Sequence, residues 1–148
     1  MLKKAITYTD YDGVTRTEDF YFNLTQAEII ELNMSPMGGL DNTLRKIIKE
    51  TNTGKIVEMI KHIILMAYGE KSFDGKKFIK KDPVTGRKLA DDFEESPAFS
   101  ELFMELLGDE KKAAAFINGI IPQSVANKVN EPQAQAQIAE IRQNIQGV

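Results

Sequence analysis

Apolar residues alternate with polar ones at the start of the chain, with Ile6 and Tyr8 before Asp12-Gly13 and Phe20 and Phe22 after it. A two-residue period rich in β-branched and aromatic residues predicts two antiparallel strands, a β-hairpin over 4–22. Parity refines the turn. If Asp12-Gly13 alone formed the loop, Tyr8 would lie opposite Thr17 and Ile6 opposite Asp19, leaving the aromatics of the second strand on the wrong face. A three-residue loop, Tyr11-Asp12-Gly13 with Gly13 in the left-handed region, gathers Ile6, Tyr8, Phe20 and Phe22 on one face.

The period then lengthens. Thr25-Gln26-Ala27-Glu28 has the capping-box pattern, in which a hydroxyl and a carboxylate each satisfy the other residue's orphan amide, so a helix is expected over 25–34. Ser35-Pro36-Met37-Gly38-Gly39 stops it. Leu40, Leu44, Ile47 and Ile48 recur at helical spacing and predict a second helix over 40–50, broken by Thr51-Asn52-Thr53-Gly54. Ile56, Ile60, Ile63, Ile64 and Ala67 predict a third over 54–68, with Gly69 as its C-terminal stop.

Residues 70–95 are charged and contain Asp74-Gly75 and Asp82-Pro83-Val84-Thr85-Gly86, which reads as an exposed arm with room for a small hairpin. Ser96-Pro97 supplies an N-cap and an N1 proline for a helix over 97–107, striped by Phe99, Leu102, Phe103, Leu106 and Leu107 and ended by Gly108. Asp109 can cap a helix over 110–121 with Ala113, Phe116, Ile117, Ile120 and Ile121 inward, terminated by Pro122. Beyond Pro122 the chain turns to Gln, Asn, Ala and Ser, which predicts a flexible C-terminal tail over 123–148. A thin helix over 131–146 carries Ile138, Ile141 and Ile145, too few apolar residues to stabilise it alone in water. The expected fold is α+β and mainly helical: a single globular domain over 1–122, with the N-terminal hairpin packed on a bundle of about five short helices.

Composition narrows the classes of function. The 148 residues are 42% hydrophobic and 28% charged, the balance of an ordinary globular protein, and the formal charge of -3 argues against a dedicated nucleic-acid binder. Without cysteine, disulfides, thiolate metal sites and a cysteine nucleophile are excluded. Met1-Leu2-Lys3-Lys4 leads into alternation, not into the apolar run of a signal peptide, and the longest apolar stretch, Ile63 to Tyr68, is too short to cross a bilayer. The cytoplasm is the expected address.

Catalytic chemistry is sparse. The one histidine, His62, sits between charged and apolar helix residues, where a boundary or solvent position is the plain expectation. Thr53-Gly54-Lys55 and Gly69-Glu70-Lys71-Ser72 lack the first glycine of a phosphate-binding loop. Asp10, Asp12 and Gly13 share residues with a calcium loop, but the glycine comes too early and no Glu closes the motif, so a hairpin turn explains them. Asp91, Asp92, Glu94 and Glu95 could hold a hard cation, yet acidic residues before a helix also complement its dipole. Lys76, Lys77, Lys80, Lys81, Arg87 and Lys88, interleaved with Phe73 and Phe78, form the one patch able to grip nucleic acid, although an acidic run follows directly. No catalytic, metal or cofactor site is expected, and the chain reads as a non-enzymatic protein that binds other proteins.

Longer strings carry a resemblance. Ile6-Thr7-Tyr8-Thr9-Asp10-Tyr11-Asp12-Gly13 and Thr17-Glu18-Asp19-Phe20-Tyr21-Phe22-Asn23-Leu24-Thr25 resemble the start of the tail assembly chaperones of siphophages from Gram-positive hosts. Ala67-Tyr68-Gly69-Glu70-Lys71-Ser72, Phe78-Ile79-Lys80, Ser100-Glu101-Leu102-Phe103-Met104-Glu105-Leu106 and Ala113-Ala114-Ala115-Phe116-Ile117-Asn118-Gly119-Ile120-Ile121-Pro122 resemble the same family in order. The likeness spans residues 1–122 and departs over Lys81 to Glu94 and in the Gln-rich tail.

The resemblance implies a protein of virion morphogenesis in the host cytoplasm. It would bind the hydrophobic tape-measure protein and help tail tube protein assemble around it, while being absent from the finished particle. A holdase of that kind needs apolar surface and no active site; Phe103, Phe116 and Ile120 are the candidate client contacts, and Met34, Met37, Met59, Met66 and Met104 could add adaptable surface. A hairpin edge and a spare helix are also compatible with a homo-oligomer. The rival readings are a structural minor tail or joining protein of the virion, and a nucleic-acid-binding regulator using the lysines of 76–88.

Overall fold

The computed structural model describes residues 1–34 and 53–122. The helix expected over 40–50 and the tail over 123–148, with its thin helix over 131–146, lie outside the described residues. Strands β1 (Leu2–Thr9) and β2 (Thr15–Phe22) form the expected hairpin, beginning two residues earlier than 4. Their register pairs Ile6 with Glu18 and Tyr8 with Arg16. The Asp10 amide donates to Val14 O at 2.8 Å, the Gly13 amide donates to Asp10 O at 3.0 Å, and Gly13 has φ +82°. The three-residue loop therefore stands, with Ile6, Tyr8, Phe20 and Phe22 all turned to the core side.

Helix α1 (Gln26–Asn33) opens on the complete capping box: the Glu28 amide donates to Thr25 Oγ1 at 3.2 Å and the Thr25 amide to Glu28 Oε1 at 3.0 Å. Helix α2 (Thr53–Ala67) runs directly into strand β3 (Tyr68–Lys71), so Gly69 is a strand residue and not the helix stop expected of it. A Cβ on Gly69 would stand 2.5 Å from the Phe78 ring and 2.6 Å from Ile79 O. The glycine is required by close approach of strand β4 (Phe78–Ile79), not by a helix terminus. The sheet order is β1-β2-β3-β4, antiparallel throughout.

The stretch 70–95, expected as an exposed arm with room for a small hairpin, is mostly exposed and carries a hairpin of β3 and β4, but it is also tied into the core. After β4 a bridge joins Lys81 to Lys88, and helix α3 (Leu89–Glu94) drives Phe93 into the core at 3% exposure. Phe93 stacks on Tyr68 at 4.3 Å between ring centroids and meets Phe20, Phe22 and Phe99 at 5.3, 5.8 and 5.8 Å. The alternation rule missed it because a lone aromatic among Asp and Glu shows no periodic partner.

Helix α4 (Pro97–Gly108) buries Phe99, Leu102 and Leu106, and helix α5 (Glu110–Ile120) buries Ala113, Phe116, Ile117 and Ile120. Ser96 occupies the α4 N-cap position, but its hydroxyl donates to Phe93 O at 2.6 Å instead of capping. Asp109 caps α5 as expected, accepting from Lys111 and Lys112 amides at 2.9 and 3.3 Å. The α+β, mainly helical fold with an N-terminal hairpin is thus the observed one; the helices are α1 to α5 among the described residues, α3 being the unexpected member.

Phe93→Ala would remove the ring shared by four aromatic neighbours, and it is expected to cost about 3–5 kcal/mol, as for other buried Phe truncations. Urea unfolding followed by circular dichroism checks this; a loss below about 1 kcal/mol would contradict the packing described, since substitutions outside the core stay in that range.

Candidate protein-binding surface

The three candidate contact residues fall in two environments. Phe116 is 4% exposed and Ile120 fully buried, so neither presents surface in this conformation. Phe116 meets Phe22 at 5.1 Å between ring centroids, and Ile120 closes the core through its backbone, accepting the Leu24 amide at 2.9 Å. Phe103 is half-buried, its ring stacked on Phe99 at 5.7 Å. An amphipathic stripe names the buried face of a helix and its flanks alike, and only packing separates them.

On α4 the flank is usable. Phe103 and Leu107 are one turn apart and half-buried, and Met104 beside them is 65% exposed. Together they form a short apolar ridge whose base is held by Phe99. Phe103 and Leu107 pack their backs against the core, which anchors the ridge, while Met104 stands free of it. Ile30 on α1 and Met34 at its C-cap are also exposed, while Met59 is buried and Met37 lies outside the described residues.

The basic patch does not survive as a unit. Lys80 folds inward, where its ammonium donates to Asn23 O at 2.9 Å, Met66 O at 2.7 Å and the Glu28 carboxylate. Burial holds its pKa below the usual lysine value against the opposing pull of Glu28. Arg87 is engaged by Asp92 and Glu95 at 3.2 and 2.8 Å, and Glu94 pairs with Lys61 at 2.8 Å. Asp92, Glu94 and Glu95 of the acidic cluster are accordingly met by the chain's own cations, and among the described residues no group of three or more His, Asp or Glu is arranged to hold a metal. Lys76, Lys77, Lys81 and Lys88 remain exposed.

Asp10 is spent on the hairpin turn. Its carboxylate accepts Arg16 Nε at 2.6 Å and the amides of Asp12 and Val14 at 3.0 and 2.8 Å. The Arg16 hydrogen bond, followed by that of the Val14 amide, holds the carboxyl below the ordinary aspartate value. His62 is exposed on α2, as its neighbours suggested. Among the described residues no helix is long and apolar enough to cross a membrane.

A second surface had no sequence signal. β3 pairs with β2 only at Tyr21–Gly69 and Phe22–Tyr68 and then diverges to pair with β4. The fork between them is a cleft of about 440 Å³ lined by Glu18, Asp19, Phe20 and Tyr21 on one side and Tyr68, Gly69, Glu70 and Lys71 on the other. Pairing between strands distant in sequence created it, which no local pattern encodes.

A family profile described as phage tail assembly chaperone matches residues 1–146. The match extends through the Gln-rich tail as well as the hairpin and helices. No curated protein and no solved structure matches the chain.

Because the Asp10 carboxyl is held low in the fold, its contribution to stability is present above the ordinary carboxylate value and is lost as pH falls through the lowered one. Asp10→Asn should lower the urea midpoint at neutral pH, and the two proteins should converge in acid. A gap that persisted unchanged to low pH would show that the charge on Asp10 contributes nothing.

Proposed function

The chain belongs to the phage tail assembly chaperone family, and on that footing we propose that it binds the tape-measure protein in the host cytoplasm and keeps it soluble while tail tube subunits assemble around it. The observation that carries this reading is the family match over nearly the whole chain. The apolar ridge of α4 supports it physically. A tape-measure protein with long apolar helices aggregates unless those faces are covered, and a helix laid against Phe103, Met104 and Leu107 would find an apolar, preorganised contact.

The role asks for no chemistry beyond binding. Met104 is suited to a client of varying sequence because its unbranched thioether repacks around different side chains. Phe116 and Ile120 enter this reading indirectly, as the buried face by which α5 is held to the core beside α4. Non-enzymatic action fits the pairing of the Asp10 and α3 carboxylates with the chain's own cations.

Co-expression with the tape-measure protein tests the proposal. The expected result is a complex that co-purifies and raises the soluble fraction of the client; no complex and no gain in solubility would sink it. Met104→Glu should leave the urea midpoint unchanged, the side chain being mostly exposed, while cutting recovered client about tenfold, equivalent to ~1.4 kcal/mol of binding. Full retention of client by that variant would move the contact off α4 without touching the chaperone reading.

A further inference from the structure

The β2–β3 fork is an unfinished sheet. Asn23 donates its amide to Ala67 O at 2.8 Å, and Tyr21 is paired with Gly69. In an antiparallel strand alternate residues turn both backbone groups to the same side, so Asp19, Thr17 and Thr15 direct N–H and C=O outward along the same edge. β3 has left by then: Glu70 and Lys71 pair with Ile79 and Phe78, and among the described residues nothing pairs with that edge of β2. The unpaired edge therefore opens at Asp19 into the cleft of about 440 Å³ and continues beyond it along Thr17 and Thr15.

The lining is acidic. Glu18, Asp19 and Glu70 face it with Lys71 as the one cation among the lining residues. The Tyr68 hydroxyl at the back is pushed up to about 12, first by burial and then by Glu70 and Asp92, so it stays a protonated donor. Phe20 and Tyr68 supply an apolar floor, both half-buried. Successive side chains of an added strand point to opposite faces, where they would meet Glu18 on the core side and Asp19 on the open side.

We infer that this fork is a second binding site, which accepts an extended, lysine- or arginine-bearing segment of a partner protein as an added strand along β2. Main-chain hydrogen bonds to Asp19 and Thr17 supply the affinity, and Glu18, Asp19 and Glu70 select positive charge. This goes beyond the helix contact proposed on α4 and does not depend on it.

A short labelled peptide of alternating lysine and threonine, titrated into the full chain, tests the site by fluorescence anisotropy and residue-resolved amide exchange. Binding should slow exchange at Asp19 and Thr17, and a peptide with aspartate in place of lysine should bind at least about tenfold more weakly. Asp19→Lys combined with Glu70→Lys should reverse that preference. Thr17→Pro removes an outward N–H that β1 does not use, so the hairpin should persist while peptide binding falls. Met104→Glu should bind the peptide normally, which separates failure here from failure of the chaperone reading. Equal affinity for both peptides, or no change at Asp19 and Thr17, overturns the inference. Protection of those amides before any peptide is added also overturns it, because the edge would then be occupied by this chain or a second copy.

Discussion

An antiparallel hairpin with one apolar face does not hold together in water until that face is covered, and this requirement organises the molecule. Phe22 on β2 is completely buried and sits among Tyr68, Phe93 and Phe116, which arrive from β3, α3 and α5. Each of those three rings comes from a segment at least 46 residues away along the chain, Tyr68 being the nearest to Phe22. Edge-to-face and stacked aromatic geometry sets their mutual angles, so the covering is specific as well as apolar. Helices α4 and α5 complete the core, with Leu102 of α4 and Ile117 of α5 buried in the same cluster as Ile6.

Lys80 supplies the polar counterpart. Three acceptors from the β2–α1 connection, the end of α2 and the α1 capping box converge on one ammonium. Carbonyls at the end of a helix lack partners within it, and Met66 O is one of these. A single cation thus satisfies groups that would otherwise be stranded where three elements meet, and Glu28 serves both its helix amide and the lysine. Using every donor opposes the desolvation of the charge without cancelling it.

Local pattern made the hairpin register, the capping box at Thr25 and the Asp109 cap legible, because each is decided within a few residues. Gly69, Phe93, Ser96 and Lys80 were not, because their roles depend on what lies across the fold. Gly69 resembled a helix stop and is a contact point for Phe78; Ser96 resembled a cap and reaches back to Phe93 O. Lys80 sat in a run of lysines that looked solvated. The surface was half legible for the same reason: helical periodicity turned Phe116 and Ile120 inward, where they lie, but could not say that the flank of α4 at Met104 stays open. The β2–β3 fork left no trace, since it is a gap between strands and not a string of residues.

The bond from the Leu24 amide to Ile120 O joins the end of the hairpin to the end of the last core helix. On the ribosome this clasp cannot form until Ile120 has emerged. At about 5–20 residues per second, the hundred or so residues that separate the two keep the hairpin waiting for roughly 5–20 s. During that interval Ile6, Phe20 and Phe22 lack their cover, so the nascent chain is itself a sticky polypeptide in need of shelter.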